Sequence, residues 1–87
     1  MAFRVTGKVT RIYATSDQVF IRLADLPAAD TPKDGYFRLA QSHSNYDALY
    51  SLALTAAVNR YDLSIRIAGN DINPTAVPDV AYMVVDW

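Results

Sequence analysis

The segment from Ser44 to Arg60, SNYDALYSLALTAAVNR, decides the fold, because it is the one convincing helix in a chain otherwise patterned as short strands. A helix that covers one small sheet needs a single apolar stripe. This segment has that stripe, apolar residues on both flanks of it, and short side chains on its remaining face. The predicted stripe consists of Tyr46, Leu49, Tyr50, Ala53, Ala56 and Ala57.

The composition of the helix predicts a second neighbour besides its own sheet. The face opposite the stripe is short enough for another helix to approach closely, and a second copy of the chain is the simplest such neighbour. The predicted interface consists of Asp47, Ser51, Leu52 and Thr55. Trp87 ends the chain and is large, so it is also predicted to lie at an interface.

Length and composition predict one small domain that spans residues 1–87. The chain is 52% hydrophobic and 20% charged, which is typical of a folded protein. It has no cysteine, so neither a disulfide nor a thiolate metal site is available to stabilise it. Small domains without such crosslinks often gain stability by forming oligomers.

The charge and hydropathy of the chain argue against two classes of partner. A formal net charge of −1 gives no electrostatic reason for binding nucleic acid or an anionic membrane. No apolar run reaches the length of a transmembrane helix, so membrane insertion is not expected. The first residues pass directly into a strand pattern without a signal peptide, which leaves open whether the protein is cytosolic or secreted.

Five strands are predicted from alternating apolar and polar residues between turn signals. They span residues 3–14, 18–24, 36–40, 61–68 and 80–87, and the helix spans residues 44–59, with Ser44 or Asn45 as its N-cap. Gly7 predicts a bulge or a bend in the first strand. The resulting order, β-β-β-α-β-β, is that of the OB-fold, a small five-stranded barrel. The sequence therefore predicts a mainly β protein: a single OB-fold domain with one helix between strands 3 and 4.

Two stretches of the chain resemble the B subunits of subtilase cytotoxin, typhoid toxin and pertussis toxin. Residues 46–57, YDALYSLALTAA, and residues 63–67, LSIRI, resemble the helix and the following strand of those subunits. Residues 6–9 and 19–22 resemble their first hairpin. These subunits are OB-fold lectins that assemble as rings of five, although they carry disulfides and this chain has no cysteine.

The resemblance implies a homopentameric, non-enzymatic lectin that recognises cell-surface glycans. It implies that the helices line the centre of the ring, where a catalytic A-type subunit threads a tail through a pore lined by Ser51 and Thr55. It implies that the hydroxyl of Thr6 contacts the glycan, and that Asp25, after the second strand, contributes as well. It also implies secretion.

Sugar binding requires groups that hydrogen-bond to hydroxyls, together with an aromatic platform for a pyranose face. Arg22 and Tyr36 add these properties to Thr6 and Asp25. The four residues are therefore the predicted glycan site. The competing interpretation is that Tyr36 and Tyr82 are core or interface residues with their hydroxyls at the edge.

Two alternatives to the lectin remain open: a purely structural ring, and an OB-fold that binds single-stranded nucleic acid. The second needs a basic groove with exposed aromatic side chains. Its candidates are Arg4, Lys8, Arg22 and Arg38 with Tyr13, Phe20 and Tyr36.

Catalysis is not predicted, because the chain has one histidine and neither cysteine nor glutamate. His43 lies between Ser42 and Ser44, but a catalytic triad depends on spatial geometry, so it is interpreted as a residue beside the helix cap. The aspartates are scattered through turns, and no metal site or cofactor is predicted.

Overall fold

The computed structural model describes residues 4–69 and 71–87; Phe3, where the first predicted strand starts, lies outside the described residues. The strands are β1 (Arg4–Ala14), β2 (Gln18–Ala24), β3 (Tyr36–Ala40), β4 (Asp62–Ile67) and β5 (Val80–Val85). The helix, α1 (Tyr46–Asn59), lies between β3 and β4. The predicted element order is confirmed.

All five strands belong to one sheet with the order β3-β2-β1-β4-β5, in which every neighbouring pair is antiparallel. The described residues do not close this sheet into a barrel. Its outer strands approach at one place, where a single parallel bridge joins Arg38 of β3 to Asp79. The main-chain N–H of Arg38 donates to the carbonyl of Pro78 there, at 2.9 Å.

The central strand β1 is long because its two halves have different partners. Its first half pairs with β4 and its second half with β2. The register shifts between Val9 and Arg11, so the bulge lies at Thr10. The predicted bulge at Gly7 is therefore wrong: Gly7 pairs with Leu63. What Gly7 provides is space, because a Cβ there would lie 3.0 Å from the carbonyl oxygen of Ala24.

The core lies between the inner face of the sheet and the helix. Its members are apolar, and alternate residues of each strand supply most of them. From the helix it takes Leu49, Ala53 and Ala56, while Tyr46 and Tyr50 pack at its margin. The predicted apolar stripe is thus the face that covers the sheet.

The helix begins at Tyr46, two residues later than predicted. The N-cap is Asn45, the second of the two predicted candidates, so a start at Ser44 is wrong; the Asn45 side chain makes no cap hydrogen bond. The ring of His43 contributes a hydrogen bond at this end of the helix, because its Nδ1 accepts the main-chain N–H of Asn45 at 3.0 Å. The helix ends where Arg60 adopts the left-handed conformation, with φ of 59°.

Candidate ligand-binding surface

Two of the four predicted glycan-site residues, Arg22 and Asp25, line the same cleft. It has a volume of about 420 Å³ and lies where β2 leaves the sheet for the loop that leads to β3. Thr10, Thr31 and Asp34 add polar groups to its wall. The cleft thus brings one guanidinium, two carboxylates and two hydroxyls together, a set that suits a ligand rich in hydroxyls.

The backbone around this cleft is held in an uncommon conformation. Asp25 and Asp34 have φ of 59° and 56°, in the left-handed region that aspartate tolerates better than most residues. Gly35 follows with φ of 78° and packs closely against β2. The Nε of Arg22 donates to the carbonyl of Asp34 at 3.0 Å, which holds the guanidinium against the loop that precedes β3.

Tyr36 lies beside the cleft, and Thr6 lies elsewhere on the sheet. Tyr36 is the direct cross-strand neighbour of Arg22. Thr6 pairs with Ser64 of β4, and their hydroxyl oxygens are 2.7 Å apart. The structure therefore groups Arg22, Asp25 and Tyr36, and it places Thr6 in the half of β1 that pairs with β4.

Three arginines and three aromatic residues form a grid on the outer face of β1, β2 and β3. One cross-strand row consists of Arg11, Arg22 and Tyr36, and the next consists of Tyr13, Phe20 and Arg38. We call these six residues the arginine–aromatic face.

The rings of this face touch one another. Tyr13 stacks on Phe20 with centroids 4.9 Å apart, and it meets Tyr36 edge to face at 5.6 Å. The guanidinium of Arg11 lies 5.4 Å from the centroid of Tyr13, within cation–π range. The face is therefore a continuous aromatic surface with cationic groups at its margin.

One arginine of the face has a carboxylate partner. The Nε of Arg38 donates to Oδ1 of Asp79 at 2.6 Å. That hydrogen bond and the nearby charge of Asp79 raise the pKa of Arg38 above its ordinary value. Among the described residues, no carboxylate lies within ion-pair distance of Arg11 or Arg22.

Arg11 and Thr10 are the members of this region that sequence reasoning missed. A strict alternation through Val5, Gly7 and Val9 points Arg11 toward the core. The bulge at Thr10 reverses the alternation, so Ile12 packs inward and Arg11 outward. The apolar Ile12, out of phase with Val9, was the available signal. Of the predicted basic residues, Lys8 is paired with Asp62 at 2.8 Å, and Arg4 lies opposite Arg66 of β4.

The predicted interface residues of the helix separate into two groups. Asp47, Ser51 and Thr55 are exposed, whereas Leu52 is half-buried against the core. The Thr55 hydroxyl donates to the carbonyl of Ser51 at 2.9 Å, within the same helix.

Two apolar side chains that the interface prediction omitted extend the exposed face of the helix: Leu54, 40% exposed, and Val58, 80% exposed. Trp87 is 88% exposed in the single chain and stacks on Tyr61 at 5.5 Å.

His43 makes contacts that suit a structural role. Its Nε2 lies 3.0 Å from the carbonyl oxygen of Ala81, and its Nδ1 accepts a main-chain N–H. Three or more histidine or aspartate side chains placed to hold a metal ion do not occur within residues 4–69 and 71–87. Over the same ranges, no helix combines the length and apolar character that crossing a membrane requires.

Comparisons with protein-family models, with curated proteins and with solved structures found no match to this chain. The surfaces that bear on function are the cleft, the arginine–aromatic face and the exposed face of the helix.

Proposed function

We propose that this chain is a carbohydrate-binding subunit without enzymatic activity, and that it assembles into a ring of five copies as the toxin B subunits do. The observation that carries the proposal is the cleft in which Arg22 and Asp25 converge beside Tyr36. A charged and hydroxyl-lined cleft next to an aromatic ring matches the two needs of sugar recognition: directional hydrogen bonds and an apolar platform.

The proposed architecture of the subunit is an OB-type barrel. The strand order β3-β2-β1-β4-β5 supports it, because closure of such a sheet would join β3 to β5. The parallel bridge between Arg38 and Asp79, with its ion pair, lies where that closure would occur.

The exposed face of the helix supports the proposed ring. Ser51 and Thr55 are small enough to admit a neighbouring backbone, and Leu54 and Val58 give that neighbour apolar surface to bury. A ring that presents several weak sites to one cell surface gains avidity, because each later contact is effectively intramolecular. A tail of a catalytic partner would pass through the centre of this ring.

A glycan array with the native assembly tests the sugar-binding part. The informative variant is Asp25→Asn, because asparagine also tolerates the left-handed backbone and only the charge is removed. We expect Asp25→Asn to abolish the signal, and Asp86→Asn, at an exposed aspartate outside the cleft, to retain it. A pentamer that gives no glycan signal above background would instead support the purely structural ring.

A further inference from the structure

We propose that the arginine–aromatic face binds single-stranded nucleic acid. This is a function beyond glycan recognition; the face shares Arg22 and Tyr36 with the proposed sugar site, and its other four side chains are separate from that site. Arg11, Tyr13 and Phe20 lie outside the cleft that serves the proposed sugar site. The two functions can therefore be tested separately.

The aromatic rings of the face form a stacking surface. Tyr13 is 39% exposed, and it forms one surface with Phe20 and Tyr36 on three adjacent strands. Unpaired bases stack on such surfaces whatever their sequence, because every base presents a π-face. A duplex hides these faces, so the surface favours single strands.

The arginines of the face lie beside these rings. Arg11 and Arg22 occupy one row of the face and Arg38 the other, so cationic groups border the rings in both rows. Arginine binds phosphate through its planar fork, and it also stacks on bases. Within the described residues, Arg38 alone of the three has an acidic partner, and the other two keep their charge available to a phosphate.

The net charge of −1 is a sum over the whole chain and does not describe this face, where three arginines lie in two neighbouring rows. Asp62 is paired with Lys8 and Asp79 with Arg38. Asp25 and Asp34 line the cleft beside Arg22, and Asp17 lies in the hairpin turn. Arg11 has no carboxylate within ion-pair distance among the described residues.

The test is fluorescence anisotropy with a labelled oligothymidine of about 15 nucleotides, within the range that one small barrel covers. The whole chain is used, at a series of salt concentrations. We expect a plot of the logarithm of the binding constant against the logarithm of the salt concentration to have a slope of about −2, because up to three phosphates are contacted. A duplex of the same length should bind more weakly.

Variants locate the binding. Tyr13→Leu keeps an apolar side chain but removes the ring, and we expect it to weaken binding about 5- to 150-fold. Tyr13→Phe keeps the ring and should restore binding. Arg11→Gln should make the salt slope shallower by about 0.7.

The chain supplies a matched control pair on β4 and β5. Arg66 lies 5.7 Å from the centroid of Tyr82, which is 45% exposed, so this pair repeats the chemistry of Arg11 and Tyr13 elsewhere on the sheet. Tyr82→Leu and Arg66→Gln should leave oligonucleotide binding unchanged. Thermal unfolding followed by circular dichroism establishes that each variant is folded.

Several outcomes would overturn the inference. They are no binding at low salt, binding that is insensitive to salt, and equal loss in the Tyr13 and Tyr82 variants. A change of native mass in the Tyr13 variant would overturn it too, since the face would then be a contact between copies. Asp25→Asn should leave oligonucleotide binding intact. Failure of this inference therefore leaves the glycan proposal standing, and failure of the glycan array leaves this one standing.

Discussion

Gly35 determines the backbone on one side of the cleft. Its φ of 78° lies in the region that residues with a Cβ avoid, and an added Cβ would lie 3.2 Å from the carbonyl oxygen of Leu23. We expect Gly35→Ala to lower the free energy of unfolding by about 1–3 kcal/mol. Alanine is strained in the left-handed conformation, and its Cβ would crowd the carbonyl oxygen of Leu23. Denaturant titration measures the change.

Gly69→Ala is the control for Gly35→Ala. A Cβ at Gly69 would have no neighbour within 4 Å, and its φ is outside the left-handed region. The substitution should be neutral, or should stabilise the fold by up to about 1 kcal/mol because alanine lowers the conformational entropy of the unfolded chain. Equal destabilisation by both substitutions would show that general flexibility, and not the conformation of Gly35, is the cause.

At the residue scale, the sequence predicts which side chains are polar or aromatic but not which of them meet. Arg22 and Asp25 are close in sequence, and one cleft contains both. Thr6 was grouped with them only by resemblance, and its partner is Ser64, 58 positions away. Long-range pairing of this kind depends on strand register, which a single alternating pattern leaves open.

At the element scale, the helix is the only α-helix that covers the described part of the sheet. Leu49 is the largest of its buried side chains. Leu49 is 6% exposed and belongs to the central cluster. We expect Leu49→Ala to lower the free energy of unfolding by about 2–5 kcal/mol, because it leaves a cavity. Denaturant titration followed by circular dichroism gives the value.

Leu54→Ala is the matched control, because it makes the same change on the same helix at a side chain that is 40% exposed. In the single chain it should alter the free energy of unfolding by about 0.5 kcal/mol or less. A large loss at Leu54 that depends on protein concentration would instead indicate that another copy covers this face.

The strands and the helix were predictable from the sequence because their periodicities are clear, and β2 and β3 begin and end where predicted. The sheet order was not predictable from periodicity alone. The bulge at Thr10 was missed because Gly7 is the stronger local signal, although the register change occurs three residues later. That one shift decides whether Arg11 joins the arginine–aromatic face.

At the scale of the whole molecule, the surfaces with proposed functions adjoin, because Arg11 of the arginine–aromatic face lines one groove together with Leu54 and Val58 of the helix. The cleft and the arginine–aromatic face lie along β1, β2 and β3, while Ser51, Leu54, Thr55 and Val58 lie on the helix. The helix covers the inner side of the sheet, and the arginine–aromatic face is on the outer side. A ring built through the helices would therefore leave the aromatic rings on the outer side free for ligand, with Arg11 at the edge of the contact between helices.

The ring makes a specific prediction about the exposed face of the helix. Ser51→Arg and Thr55→Arg place a long charged side chain where a neighbouring copy would have to approach. Arginine favours helices more than serine or threonine does, so the fold of each chain should be retained. We expect the native mass, measured by light scattering on a sizing column, to fall from five chains to one.

Ser16→Arg, in the exposed hairpin turn between β1 and β2, controls for added charge and should leave the mass unchanged. A parent protein that is already a monomer contradicts the ring directly. Variants that keep the parent's multimeric mass would show that the helices do not pack against one another, even if the assembly exists. In that case a different neighbour would cover the exposed apolar side chains of Leu54, Val58 and Trp87, because apolar surface stabilises an assembly only when it is removed from water.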